Sequence, residues 1–301
     1  MKIRPIQLRR SWLFVGATNE KDIQASFQSE ADVCILEFED FCSPKDRPKG
    51  RKLLPNILKK WKECGKVAAV RINPLETNDG LKDLDASITK NLDVILLPKV
   101  NTKKQIDLFI KKKREIEKKK NIKNNAIEFI PNIETALGLE NIKDILNSKQ
   151  VKGALVAAED MATSLGLHDS KSNDMLNFVR KRFHIACKAY NKFSIDMPYT
   201  WNNKKELIEE VKYTKSLGMC AKSSVFASHC STINKILTPS LKDANMAKRI
   251  IKEFEKALSR ENRQIIFQNR YLEMPAYNLA LKTLNRYNEF LRYNQLNENN
   301  Q

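Results

Sequence analysis

The sequence predicts an α/β protein, a (β/α)8 barrel followed by a helical extension, and three observations carry that prediction. Short apolar or β-prone runs recur at 12–15, 33–38, 67–72, 94–97, 127–131, 153–157, 193–195 and 219–221. Helical patterns lie between them, near 20–29, 48–63, 103–120, 174–190 and 204–217. Regular alternation of this kind argues for a parallel sheet. Beyond about Leu241 the pattern changes: helical segments at 241–258 and 275–293 flank a non-periodic piece, 263–275. Residues 1–240 are therefore expected to form the barrel and 241–301 the extension, a size that suits a chain of 301 residues. An open doubly wound sheet shares the alternation. No Gly-x-Gly-x-x-Gly follows a strand and no phosphate-loop motif is present, which weakens dinucleotide and nucleotide readings.

The strand ends hold the chemistry. The run 33–38 is short and apolar except for Glu37, as a mostly buried strand reads. It stops at Glu39-Asp40, and Ser43-Pro44 turns the chain towards a helix starting near Pro48. Strand 3 leads into Arg71-Ile72-Asn73-Pro74, strand 5 into Ile133-Glu134-Thr135 and strand 6 into Glu159-Asp160. Closed into a barrel, these ends place several carboxylates at one mouth, facing one arginine. Such a cluster is repulsive without a cation to organise it. Oxygen ligands without cysteine or clustered histidine suit a hard ion, most simply Mg²⁺, held by two carboxylates and keeping waters. Such an ion acts as a Lewis acid on a substrate carbonyl.

Composition bounds the remaining classes. A hydrophobic fraction of 42% supports a sizeable core. No apolar run approaches the roughly 20 residues of a membrane span, and Ser11 to Val15 is too short for a signal-peptide core. A soluble, cytoplasmic protein is expected. The net charge of +18 invites a nucleic-acid reading. Much of the excess, however, lies between Lys103 and Lys123, interleaved with Ile106, Phe109, Ile110 and Ile116. That pattern is the solvated face of an amphipathic helix, so no nucleic-acid partner is expected. Cysteines 34, 42, 64, 187, 220 and 230 form no Cys-x-x-Cys pair and read as reduced, mostly buried residues. His168, His184 and His229 lack a relay partner pattern and read as structural or solvent-facing. The polar residues 297–301 are expected to fray.

These motifs resemble a known family. Arg10-Ser11-Trp12-Leu13-Phe14-Val15, Leu36-Glu37-Phe38-Glu39-Asp40 and Pro44 are similar to the HpcH/HpaI aldolase/citrate lyase family. The similarity is greatest to citrate lyase beta subunits and malyl-, methylmalyl- and citramalyl-CoA lyases. It continues through Val70 to Leu75, Leu96 to Val100, Ile133 to Leu139, Ala158 to Ala162, Thr238-Pro239 and Leu272 to Pro275. The resemblance implies a TIM barrel assembling into trimers or hexamers and handling an acyl-CoA and a 2-oxoacid. It further implies Glu134 and Asp160 as Mg²⁺ ligands, with Glu39 and Asp40 holding the metal's waters. By the same resemblance Arg71 contacts substrate and stabilises an enolate oxygen, and Arg47 and Arg51 meet coenzyme A phosphates. A C-terminal aspartate that transfers protons in a neighbouring subunit's site is matched here by Glu273.

The expected activity is carbon–carbon cleavage or formation of a carboxylated 3-hydroxyacyl-CoA. Departures from the family pattern keep two alternatives open, an acyl-CoA thioesterase and a non-catalytic binding or assembly subunit. Val15-Gly16-Ala17 replaces Val-Pro-Gly, and Glu37 replaces an aspartate at a position expected to face inward or be paired. Ala157 replaces a glycine, Phe226-Ala227 replaces His-Pro after strand 8, and Arg270 replaces the glycine upstream of Glu273.

Overall fold

The computed structural model describes residues 3–122, 127–171 and 173–298. A 3-10 turn at Ile6–Leu8 leads into β1 (Ser11–Gly16), α1 (Glu20–Gln28), β2 (Val33–Glu37) and α2 (Arg47–Glu63). Next come β3 (Val67–Arg71), α3 (Asn78–Ser87), β4 (Val94–Leu97) and α4 (Lys103–Lys120). β5 (Glu128–Ile133) precedes the short helices α5 (Ala136–Glu140) and α6 (Ile142–Leu146). β6 (Gly153–Val156) precedes α7 (Glu159–Ser164) and α8 (Asp174–Ala189). β7 (Phe193–Ile195), α9 (Lys204–Ser216), β8 (Lys222–Ser224) and α10 (His229–Leu237) follow.

The eight strands are parallel, in the order β7-β6-β5-β4-β3-β2-β1-β8. A parallel bridge between Asp196 and Lys222 joins the two ends of that order. Asp196 N donates to Ala221 O at 3.0 Å, and Ser223 N donates to Asp196 O at 2.9 Å. The sheet is thus a nearly closed barrel of the TIM type, and the open-sheet alternative falls away.

Because side chains alternate along a strand, each strand serves two cores. Trp12, Phe14, Val33, Ile35, Ala69, Leu96, Ile130 and Leu155 pack together as the barrel interior. Their neighbours Leu13, Val15, Cys34, Leu36, Ala68, Val70, Ile95 and Phe129 belong to a separate cluster with helix residues such as Leu54, Trp61 and Phe109. Most of the expected strands appear within one or two residues of their predicted ends. β8 is the exception, starting three residues later than 219–221 because its residues are polar. All three are buried and satisfied: Lys222 Nζ lies 3.0 Å from Asp196 Oδ2, Ser223 Oγ donates to Asp196 O, and Ser224 Oγ donates to Phe226 O. The helices α3, α5, α6, α7 and α10 were not anticipated; all are short or, like α3, strongly polar.

α4 is the amphipathic helix expected of the basic run. Ile106 and Phe109 are buried, while Lys103–Asp107, Lys112–Glu115 and Lys113–Glu117 pair along its surface. Lys123, the end of that run, lies outside the described residues. The described cysteines are free, with Cys34, Cys42, Cys187 and Cys230 buried. Among the described residues no helix is long and apolar enough to cross a membrane.

The packing divides the chain into one compact unit ending at Lys235 and a second beginning at Ile236. In the second, Ser240 and Asp243 form a capping box that starts α11 (Leu241–Leu258). α11 packs on α12 (Met274–Glu298) through Ala247, Ile251 and Ala280. Residues 263–275, expected to lack a strand, instead carry an antiparallel hairpin of β9 (Gln264–Phe267) and β10 (Arg270–Glu273). Gln268 and Asn269 turn it with φ of 50° and 60°, the left-handed pair that a two-residue hairpin loop needs. Residues 297 and 298 continue α12 rather than fray, and 299–301 lie outside the described residues.

Candidate active site

The inward-facing alternation that packs Val33 and Ile35 into the barrel carries Glu37 and Glu39 to its mouth. Glu37 is fully buried, and its two oxygens accept the backbone N–H groups of Glu39 at 2.7 Å and Phe41 at 2.6 Å. It pairs in register with Arg71 on β3, whose Nε donates to Glu37 Oε1 at 2.8 Å. The other edge of the guanidinium donates from Nη2 to Asp40 Oδ2 at 2.7 Å. Nη1 faces Glu39 Oε2 at 3.3 Å and Glu134 Oε2 at 4.0 Å. The group is clamped in plane from two sides, with its third nitrogen towards two more carboxylates.

Glu134 follows β5 and is fully buried. Its Oε1 accepts the backbone N–H of Lys99 at 2.6 Å, whereas Oε2 has no hydrogen-bond partner. Glu39 Oε2 and both amide atoms of the buried Asn132 also lack one. Lys99 stands at the end of β4 with φ of 48°, a left-handed conformation unusual for a side-chain-bearing residue. Its Nζ donates to Glu39 Oε1 at 2.8 Å and lies 3.4 Å from Asp160 Oδ1, at the start of α7. Close packing of neighbouring turns fixes this arrangement. A Cβ on Gly138 would stand 2.6 Å from Val100 O, so only glycine lets the turn after β5 approach the turn after β4.

Burial and crowding dominate the electrostatics. Desolvation pushes the Glu134 carboxyl up to about 7; Arg71 opposes that rise, while Glu39 and Asp160 add to it as like charges. Burial also raises Glu39, against the pull of Arg71 and Lys99. Burial alone would lower Arg71 and Lys99. The carboxylates around them, Glu37 and Glu134 for Arg71 and Glu39 for Lys99, reverse the sign and hold both firmly protonated.

The structure thus brings together Glu39, Asp40, Arg71, Glu134 and Asp160. Arg47 and Arg51 have internal partners. Arg47 donates to Asp79 Oδ2 at 2.8 Å and to the carbonyl oxygen of Phe38 at 3.1 Å; Arg51 donates to Asp83 Oδ1 at 2.7 Å and also pairs with Asp79. A phosphate would have to compete with these carboxylates. Glu273 ends β10 in the second unit and is exposed. His229 is buried beside Phe226, their rings 4.8 Å apart, His184 Nδ1 lies 2.8 Å from Ser194 Oγ, and His168 is exposed. Sequence reasoning did not assign roles to Lys99 and Asn132. Lys99 stands at a strand end inside the run Leu96 to Val100, the same signal that points to Glu39, and Asn132 is an inward polar residue two positions before Glu134.

The family model of the HpcH/HpaI aldolase/citrate lyase family matches residues 10–227. The chain belongs to this family of carbon–carbon lyases. It is 27% identical over 285 residues to citrate lyase subunit beta of Haemophilus influenzae, covering 93% of this chain and 97% of that one. It is 22% identical over 279 residues to the mitochondrial citramalyl-CoA lyase of Rattus norvegicus, covering 89% and 82%. Its fold is shared with CitE of Mycobacterium tuberculosis, solved with magnesium, acetoacetate and coenzyme A, at a TM-score of 0.74 and 22% identity over 93% of this chain and 98% of that one.

The residues at this family member's mouth fit a hard divalent ion. Among the described residues no three histidine, cysteine, aspartate or glutamate side chains converge as a ready ligand set. Mg²⁺, however, is commonly held by only one or two carboxylates plus water and substrate oxygens. Glu134 Oε2 is fully buried, has no hydrogen-bond partner and faces Arg71 Nη1 at 4.0 Å, beyond hydrogen-bond reach, so a further cation there would be stabilising.

Proposed function

We propose that this protein is a Mg²⁺-dependent lyase acting on a carboxylated 3-hydroxyacyl-CoA of the malyl-, methylmalyl- or citramalyl-CoA type. Cleavage gives an acyl-CoA and a 2-oxoacid; the reverse direction joins them. One observation carries the reading: the Arg71 guanidinium, clamped by Glu37 and Asp40, presents Nη1 to a carboxylate pair whose Oε2 atoms have no hydrogen-bond partner. Family membership and the named relatives support it.

Glu134 and Asp160 would hold the ion, with Glu39 and Asp40 ordering its waters. When bound, Mg²⁺ supplies Lewis-acid polarisation of the oxoacid's oxygens. In the cleavage direction the hydroxyl proton passes to the proton carrier, the C2–C3 bond breaks, and its electron pair passes to the thioester oxygen as an enolate, which takes that proton back at carbon. Arg71 Nη1, held rigidly, stabilises that developing negative charge without reorganising. Protonation of the enolate carbon completes the acyl-CoA. Glu273 from a neighbouring subunit is the proposed proton carrier, in a trimer or hexamer. Arg47 and Arg51, paired with Asp79 and Asp83, are proposed to hold the turn after β2 in place, with no direct part in coenzyme A binding.

The test is a coupled incubation of acetyl-CoA or propionyl-CoA with glyoxylate or pyruvate, with MgCl₂ and then with EDTA. The expected result is a metal-dependent hydroxyacyl-CoA product, lost in Glu134→Gln. Release of free coenzyme A from a hydroxyacyl-CoA without any oxoacid would establish a thioesterase instead. Binding of acyl-CoA with neither reaction would establish a non-catalytic subunit.

A further inference from the structure

We infer that Lys99 is a movable internal counter-cation that competes with the metal for its carboxylates and, once displaced, meets the anionic substrate. The inference rests on the function proposed above only in taking Mg²⁺ as the competing ion. Two positive charges face the mouth, and they are held very differently. Arg71 is 6% exposed and fixed through Glu37 and Asp40. The Lys99 side chain is 38% exposed and reaches from β4 across to two other turns, touching Glu39 Oε1 at 2.8 Å and approaching Asp160 Oδ1 at 3.4 Å.

The Lys99 backbone, in contrast, is pinned. Its N–H donates to Glu134 Oε1 at 2.6 Å, and the residues after it are tied down by Gln105 Oε1, which accepts from Asn101 N at 2.7 Å and Thr102 N at 3.1 Å. Such over-determination is what sustains a left-handed non-glycine residue. The main chain therefore stays with Glu134 while the four-carbon stem carries the ammonium. A divalent ion held by Glu134 and Asp160 would draw on the carboxylate that Lys99 Nζ approaches at 3.4 Å, and the two cations would repel each other. The ion carries twice the charge, so the ammonium yields. Its exposed stem then leaves it at the mouth, where the carboxylate of an oxoacid enters. Metal should consequently bind before the acid.

A purely structural salt bridge predicts the opposite sign. If Lys99 served only to place Glu39 and Asp160, its loss would scatter them and weaken metal binding. The experiment is calorimetric titration of MgCl₂ into the wild-type protein, Lys99→Met and Lys99→Arg, with thermal melts of each with and without MgCl₂. The expected result is tighter Mg²⁺ binding in Lys99→Met, by about ten- to a hundredfold, with wild-type affinity in Lys99→Arg. The melting temperature of Lys99→Met should fall without Mg²⁺ and recover with it, because the ion replaces the missing cation. KM for the oxoacid should rise in Lys99→Met and not in Lys99→Arg. Unchanged or weaker Mg²⁺ binding in Lys99→Met, beside normal binding in the wild type, overturns the inference alone. No Mg²⁺ binding by any of the three overturns the proposed function as well.

Discussion

Glu37 and Arg71 face each other from neighbouring strands, and Glu37 Oε1 accepts Arg71 Nε at 2.8 Å inside the barrel. The same carboxylate receives the backbone N–H groups of Glu39 and Phe41. One buried acid therefore sets both the arginine's orientation and the path of the chain that presents Glu39 and Asp40.

Replacing Glu37 with alanine leaves Arg71 buried without its innermost partner and frees two backbone donors. Breaking a buried pair in this way costs about 3–5 kcal/mol. Urea denaturation should show that loss, and kcat should fall with it because the guanidinium is no longer held. Glu37→Asp keeps the charge and should lose less than Glu37→Ala on both measures.

The Arg51–Asp83 pair makes a second prediction. Asp83 is fully buried and accepts Arg51 Nε at 2.7 Å, Asn73 N at 3.0 Å and Asn73 Nδ2 at 2.7 Å. Asn73 Nδ2 also donates to the carbonyl oxygen of Phe38, next to Glu39, so the network supports the site from behind. Arg51→Met should cost about 3–5 kcal/mol by the same logic. Well below the melting temperature, its calorimetric Kd for coenzyme A should change by less than about threefold. A loss of tenfold or more would show that a phosphate reaches the arginine after all.

Much of this was legible in the sequence, for identifiable reasons. Strands read well where both faces are buried in apolar residues, as at 33–36 and Val94–Leu97. Reading failed where polar residues are buried and satisfied by distant partners. Lys222 looks like a surface residue until Asp196 and Glu210 come beside it. The β9–β10 hairpin is hard to read because neither Gln264–Phe267 nor Arg270–Glu273 alternates apolar and polar residues, and neither buries a full face. Strand ends located the acids and Arg71, but nothing local to Arg47 or Arg51 announces Asp79 and Asp83, some thirty residues on in the chain. Lys99 was passed over because its importance lies in a turn conformation and in charges on three other segments.

Asp196 makes the acid side of stability testable. It is fully buried and accepts Arg180 Nε at 2.9 Å, Thr214 Oγ1 at 2.6 Å and Lys222 Nζ at 3.0 Å. Burial alone would raise its carboxyl, but Lys222 and Arg180 outweigh burial and hold it below the ordinary 3.8. A carboxylate depressed in the folded state stabilises fully above its unfolded value and loses that contribution as pH falls below it. The melting temperature of the wild type should therefore drop steeply below about pH 5. Asp196→Asn should melt lower at pH 7 and show a shallower acid limb, so that the two curves converge towards pH 2. Parallel curves would remove Asp196 from the acid transition.

Glu273 calls for a test of where it acts. It is exposed at the end of β10, and its proposed task is to move a proton in a neighbouring subunit's barrel. Glu273→Gln and Glu134→Gln should each be inactive as pure proteins, one lacking the proton carrier and the other a metal ligand. Co-expressed, or mixed after reversible dissociation, they should regain activity. A site built from one subunit's barrel and its neighbour's extension is intact when both halves are wild type, about a quarter of sites for random equal mixing in a closed ring. Activity that returns to about that level places Glu273 in the neighbour's site. Activity that stays absent, with mixed oligomers demonstrated by mass spectrometry, confines Glu273 to its own subunit or removes it from the chemistry. Glu273→Asp separates these further. Shortening the acid by one methylene moves a proton carrier away from its target and should lower kcat far more than KM, whereas an exposed acid without a catalytic task would tolerate the change.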